Sequence, residues 1–153
     1  MAAVRAEGLF KIFGRRPDEA VRRLESGGGR AEIEKLGATP AVIDASFEVE
    51  PGEIFVVMGL SGSGKSTLIR MLNGLVEATA GHVFVGDDDL AALDAAGLRR
   101  VRQQRMSMVF QHFALLPHRS VIDNVAYGLE VRGIARDERH ATARKTLAMV
   151  NLT

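Results

Sequence analysis

The fold of this chain is decided by one glycine-rich stretch, Gly59-Leu60-Ser61-Gly62-Ser63-Gly64-Lys65-Ser66-Thr67. It matches the pattern G-x-x-x-x-G-K-[ST] of a phosphate-binding P-loop. The run before it, Ile54-Phe55-Val56-Val57-Met58, is apolar and has the length of a buried parallel strand. Apolar residues at helical spacing follow the loop: Leu68, Ile69, Met71, Leu72 and Leu75. The sequence therefore predicts a strand, a loop and a helix in the order that this kind of site requires.

The glycines of the stretch suit a loop that wraps around phosphate. Gly59, Gly62 and Gly64 let the backbone bend where a Cβ would clash. The N–H groups of residues 62–65 can then point inward at a dense negative charge. The positive end of the following helix adds to the same field.

The polar residues of the stretch have distinct predicted roles toward a nucleotide. Lys65 is predicted to reach the β- and γ-phosphates as a point charge, and Ser66 to offer its hydroxyl to Mg²⁺. The Thr67 N–H is predicted to help hold the α-phosphate. Ser61 and Ser63 complete the predicted binding loop.

Composition places the chain among ordinary globular proteins. It has 153 residues, enough for one domain with a core, and its net charge of +1 gives no reason to expect a nucleic-acid partner. Cysteine is absent from the sequence, which excludes disulfides, thiolate metal sites and a cysteine nucleophile. No apolar run approaches the roughly 20 residues of a membrane span, so a cytoplasmic protein is expected.

The rest of the pattern alternates strands and helices, with an added antiparallel sheet expected from the first strands. Strands are predicted over residues 4–13, 42–50, 54–58, 81–86 and 106–110. Helices are predicted from Pro17, over 31–36, after the P-loop, and over 94–105, 121–132 and 137–150. The adjacent carboxylates Asp87-Asp88-Asp89 could be a metal site or a solvated turn, and the turn is favoured.

A second stretch narrows the class of P-loop protein. Val109-Phe110-Gln111-His112-Phe113-Ala114-Leu115-Leu116-Pro117-His118 resembles the Q-loop region of ABC transporter ATPases, as does Val121-Ile122-Asp123-Asn124-Val125 behind it. The resemblance implies a P-loop NTPase (RecA-like) α/β core, an N-terminal antiparallel β-subdomain and the start of a helical subdomain. It also implies that Gln111 touches Mg²⁺ and the attacking water, and that it couples the site to a membrane subunit. Lys65 and Gln111 are thus the predicted catalytic residues.

The same family stacks adenine on an aromatic residue near the N-terminus. Lys11-Ile12-Phe13-Gly14 matches that setting, which makes Phe13 the stacking candidate. The alternative is that Phe13 belongs to the core and adenine stacks elsewhere, since Phe10 is also aromatic and close by.

A narrower similarity covers essentially the whole chain. The first strand, an insert of short helices before Val42 and the sequence around the P-loop are similar to the ATPases of glycine betaine/proline-type osmoprotectant importers. That resemblance implies ATP and Mg²⁺ as cofactors, and uptake of a quaternary amine. It also implies a transmembrane permease subunit, a second ATPase subunit and, indirectly, a substrate-binding protein as partners. The expected location is the inner face of the cell membrane.

Three motifs of the family have no counterpart in the 153 residues. These are the Leu-Ser-Gly-Gly-Gln signature, the apolar strand that ends in Asp-Glu, and the switch histidine. Residues 1–153 are therefore expected to be the N-terminal part of one ABC ATPase domain, which binds ATP without hydrolysing it. The alternatives are the ATPase of another importer, for amino acids or polyamines, and a P-loop protein outside transport.

Overall fold

The computed structural model describes residues 2–110 and 115–152. They divide into two compact units, Met1–Arg105 and Met106–Thr153. The strands are β1, Val4–Gly14; β2, Ala38–Val49; β3, Ala80–Val85; and β4, Asp88–Asp89. The helices are α1, Pro17–Glu25; α2, Arg30–Lys35; α3, Lys65–Leu72; α4, Ala95–Arg105; α5, Val121–Val125; α6, Tyr127–Val131; and α7, Arg136–Met149.

The first unit is built on an antiparallel sheet with strand order β2-β1-β3-β4. The central strand β1 pairs with β2 from Val4 opposite Val49 to Gly14 opposite Ala38. This confirms the predicted antiparallel sheet at the start of the chain. Because Gly14 and Ala38 face each other, residues 15–37 form an excursion that leaves and rejoins the same end of one hairpin.

That excursion, called the insert below, has its own small core. Its helices α1 and α2 pack on the sheet through a cluster of buried residues: Phe10, Ile12, Ala20, Val21, Ile33 and Ala38. Helix α1 begins at Pro17, whose ring suits the first turn, and carries acidic residues at its start and arginines at its end. The predicted helix start at Pro17 is confirmed, and the helix predicted over residues 31–36 is observed one residue earlier, over Arg30–Lys35.

Two stretches predicted as buried strands are not strands, which corrects the prediction for residues 54–58 and 106–110. The side chain of Ile54 is 89% exposed and that of Val109 is 97% exposed. A buried parallel strand needs neighbouring strands and helices over both faces. Neither stretch joins the sheet formed by the described residues, so their apolar content alone does not make them strands. Phe55 packs its ring against Phe47 of β2 at 4.8 Å.

The second unit contains α5, α6 and α7. The predicted helix over 121–132 is divided at Ala126, where α5 ends and α6 begins. Glu130 of α6 pairs with Arg119 at 2.8 Å and with Arg139 of α7 at 3.3 Å. Hydrogen bonding to Arg119 holds the pKa of Glu130 below its ordinary value. None of the described helices is long and apolar enough to cross a membrane.

Candidate nucleotide-binding site

The P-loop follows β2 and runs into the first turn of α3. Hydrogen bonds to the loop backbone hold the side chain of Lys65 in place. Lys65 Nζ donates to the carbonyl oxygens of Gly59 at 2.7 Å and Leu60 at 2.6 Å. Its contact with Ser63 Oγ is longer, at 3.5 Å. An ammonium group has three N–H donors, so two short bonds fix its place across the loop and leave capacity for an anion.

The loop forms a cradle whose backbone packs tightly against β2 at Gly64. Gly64 has φ +91°, and a Cβ built on it would overlap the backbone carbonyl of Ala41. Gly62 also has a positive φ, +77°, but open space lies around its Cβ position. The geometry thus requires glycine at 64 for two independent reasons, and it brings β2 against the start of α3.

A cavity of about 210 Å³ opens beside this cradle. Its walls come from the P-loop and the first turn of α3, from β2, and from the insert. The P-loop side comprises Gly62, Ser63, Gly64, Lys65, Ser66 and Thr67; the other side comprises Arg30, Thr39, Pro40 and Ala41. Residues 39–41 and Arg30 were not predicted, because no spacing rule links them to a P-loop that begins only at Gly59.

The two candidate aromatic residues differ sharply in exposure. Phe10 is 6% exposed and belongs to the core, whereas Phe13 is 45% exposed. Phe13 is opposite Thr39 in the β1–β2 ladder. Directly opposed residues of an antiparallel pair share a face, so Phe13 lies on the face to which the cavity-lining Thr39 belongs. Lys11 Nζ lies 5.2 Å from the centroid of its ring.

The remaining sequence candidates have different positions. Gln111 lies outside the described residues. Ser66 is exposed in the first turn of α3, with its neighbour Thr67 half-buried. In the aspartate run, Asp88 pairs with Arg105 at 2.9 Å and Asp89 with His82 at 2.9 Å. In residues 2–110 and 115–152 no cluster of three histidine or acidic residues could hold a metal ion.

A glycine loop at a helix N-terminus, with its lysine turned across the loop, defines a P-loop nucleotide-binding fold. The family model described as ABC transporter matches residues 42–153. The chain belongs to the ABC transporter family. A dimeric bacterial ABC transporter cassette, MJ0796, has the same fold, with a TM-score of 0.77 at 24% identity over 98% of this chain and 58% of that one.

Curated relatives resemble the chain over most of its length. It is 48% identical to the glycine betaine transport ATP-binding protein OpuAA of Bacillus subtilis, over 97% of this chain and 36% of that protein. It is 49% identical to the glycine betaine/proline betaine protein ProV of Salmonella typhimurium, over 95% of this chain and 37% of that protein. A methionine import protein, MetN of Xanthomonas campestris, is 49% identical over only 69% of this chain. The chain spans little more than a third of the betaine relatives' length.

Proposed function

We propose that this chain is the nucleotide-binding portion of the ATPase subunit of an ABC importer. The observation that carries the proposal is the position of Lys65, whose ammonium group is held across the P-loop by the carbonyl oxygens of Gly59 and Leu60. A triphosphate offers oxygens to such an ammonium and to inward-pointing backbone N–H groups. Residues 1–153 would then form the N-terminal part of a single ATPase domain.

The described residues fit ATP with Mg²⁺. A cavity of about 210 Å³ beside the P-loop offers space for phosphate, and the exposed hydroxyl of Ser66 is available to the metal ion. Lys65 would hold the β- and γ-phosphates and the Thr67 N–H the α-phosphate. Gln111 would be a further metal contact. When bound, Mg²⁺ would neutralise developing charge on the phosphates.

Exposure and strand register support Phe13 as the platform for adenine. Its ring is accessible and lies on the face of Thr39, while Phe10 is used in the core. The Lys11 ammonium lies over one face of the ring, so a base would stack on the opposite face.

For the transported solute we propose a quaternary-amine osmoprotectant. The betaine-type relatives align over 95% or more of the chain, whereas the methionine relative aligns over 69%. The whole subunit would pair with a second ATPase subunit and a transmembrane permease at the inner face of the membrane. A substrate-binding protein would complete the system.

The nucleotide site is tested by titrating the chain with a fluorescent ATP analogue. Lys65→Ala should weaken binding by about 2–3 kcal/mol, because buried phosphate charge loses a charge-assisted hydrogen bond. Lys35→Ala is a matched control, since it removes an exposed lysine from α2 and should leave affinity unchanged. Equal affinity of wild type and Lys65→Ala would refute the site.

The solute class is tested separately, through the genes that neighbour the one encoding this chain. A permease gene and a gene for a binding protein with an aromatic cage for trimethylammonium would support the proposal. Neighbouring genes for amino-acid, polyamine or sugar uptake would refute the proposed solute class and leave the ATPase assignment intact.

A further inference from the structure

Arg30 of the insert lines the same cavity as the P-loop. Arg30 lines the cavity together with Thr39 to Ala41 of β2 and Gly62 to Thr67 of the P-loop. Its side chain is 59% exposed, so its charge is hydrated and available to a ligand. Within residues 2–105, the insert thus adds a basic group that was not predicted from the sequence for this site.

The insert is anchored firmly enough to keep Arg30 at this place. Ile33, one turn later on α2, is fully buried in the cluster beneath the helix. The two ends of the insert are tied together, because the Arg15 N–H donates to the Gly37 carbonyl at 3.3 Å. Helix α2 is therefore fixed at the edge of the sheet where the cavity opens.

Glu34, the present partner of Arg30, would compete only weakly with an anionic ligand for the guanidinium group. The Arg30 Nε donates to Glu34 Oε1 at 3.3 Å, one turn along the same exposed helix. Exposed pairs of this kind contribute little to stability, because water and salt screen both charges. A guanidinium carries five N–H donors in a planar fork that matches phosphate oxygens, so the pair with Glu34 leaves most of its donors for an anion.

We propose that Arg30 is a second cationic contact for the phosphate groups of the bound nucleotide, supplied by the insert. The inference rests on the proposed function, because it assumes that the cavity receives a nucleotide. A triphosphate carries more negative charge than Lys65 can neutralise. A second cation at the cavity wall therefore strengthens binding through charge and limits how the phosphates can lie.

The test measures the affinities of ATP, ADP and adenosine for Arg30→Gln, Arg30→Lys and wild type. Arg30→Gln should weaken ATP and ADP about 5- to 10-fold, the effect of a partly exposed charge-assisted hydrogen bond, and leave adenosine unchanged. Arg30→Lys should recover part of the loss, and Glu34→Gln should tighten ATP binding slightly because it removes the competitor. The salt dependence of ATP binding should decrease in Arg30→Gln.

Arg23→Gln is the matched control, since it removes a cation that pairs with Glu19 on α1 at 2.9 Å and does not line the cavity. It should bind ATP as wild type does. If Lys65→Ala loses binding while Arg30→Gln keeps wild-type affinity, the inference is wrong and the proposed function stands. If Lys65→Ala itself binds normally, the proposed function is wrong. Equal weakening of ATP and adenosine in Arg30→Gln would overturn the phosphate assignment.

Discussion

Asn124 and Leu116 are joined by two hydrogen bonds in opposite directions. The Leu116 N–H donates to Asn124 Oδ1 at 2.8 Å, and Asn124 Nδ2 donates to the Leu116 carbonyl at 3.1 Å. The same amide nitrogen reaches the carbonyls of Arg119 at 3.2 Å and Ser120 at 3.0 Å. One side chain in α5 thus fixes the backbone of the loop before that helix.

Asn124→Ala should loosen this loop. The loss of several partly buried hydrogen bonds should destabilise the second unit by about 2 kcal/mol. Hydrogen exchange at the Leu116 amide measures the effect, and exchange should become faster. Asn124→Asp is the informative control, because it keeps the acceptor for Leu116 and loses the donors. If the Leu116 amide exchanged as slowly in Asn124→Ala as in the wild type, its hydrogen bond to Asn124 would have no structural role.

Gly64→Ala should disable the P-loop while Gly62→Ala should be tolerated. Both add a methyl at positive φ, which costs about 1–2 kcal/mol. Only at 64 does the methyl also overlap a backbone oxygen, that of Ala41, so β2 and α3 must separate. Urea unfolding and titration with the ATP analogue should show a larger loss for Gly64→Ala in both measurements. Equal effects of the two variants would contradict the close contact with Ala41.

Phe13→Ala and Phe10→Ala should fail in different ways. Phe13→Ala should weaken ATP and GTP similarly, by about 1–3 kcal/mol, because stacking depends on the face of a base rather than its edge. Phe10→Ala should instead cost about 3–5 kcal/mol of folding stability by leaving a cavity in the core. Nucleotide titration and urea unfolding of both variants separate the two effects. If Phe10→Ala folded stably but lost nucleotide affinity, Phe10 and not Phe13 would be the residue that stacks on adenine.

Asp123 should titrate at unusually low pH. Its carboxylate accepts from Ser120 Oγ at 2.6 Å and contacts His140 Nε2 at 2.8 Å. Hydrogen bonding to Ser120, and then to His140, lowers the pKa of Asp123. The ionised form is therefore favoured in the folded chain. Its contribution to stability is present above the ordinary pKa of about 3.9 and is lost as pH falls through the lower folded value.

The carboxyl ¹³C shift of Asp123, followed from pH 7 to pH 2, measures that midpoint. It should lie below about 3.9 in the wild type and move upward in Ser120→Ala, which removes the main hydrogen-bond donor. Ser120 also caps α5 by accepting from the Asp123 N–H, so Ser120→Ala should cost about 1 kcal/mol of helix stability. A midpoint that did not change in Ser120→Ala would show that another group lowers the pKa.

The 153-residue chain should bind ATP without turning it over. The sequence has neither an apolar strand ending in Asp-Glu nor a Leu-Ser-Gly-Gly-Gln stretch. Catalysis of phosphoryl transfer depends on positioned charges and hydrogen-bond donors. A chain without the groups that those two motifs supply should therefore lack most of the rate acceleration. Phosphate release by the purified chain is the measurement, with Lys65→Ala to detect a contaminating ATPase. Turnover that depends on Lys65 would reveal a catalytic carboxylate among these residues.

Local patterns in the sequence determined much of this protein. Spacing of glycine, lysine and hydroxyl residues identified the P-loop, since loop conformation and phosphate chemistry depend on residues adjacent in the chain. Periodicity predicted β1, the short helices of the insert and α7, because amphipathic faces and helix ends are local properties. The resemblance to ABC transporter ATPases rested on the same contiguous motifs.

Only the tertiary structure decided three other matters. Residues 54–58 and 106–110 have strand-like composition. A strand exists only where another strand pairs with it, and that partner comes from residues far away in the sequence. Phe10 is buried and Phe13 exposed because the insert packs its cluster against Phe10 and not against Phe13. Arg30 and Thr39 reached the P-loop cavity because the β1–β2 ladder closes the insert onto it. Contacts between residues far apart in the sequence leave no spacing pattern, so they become visible only in the folded structure.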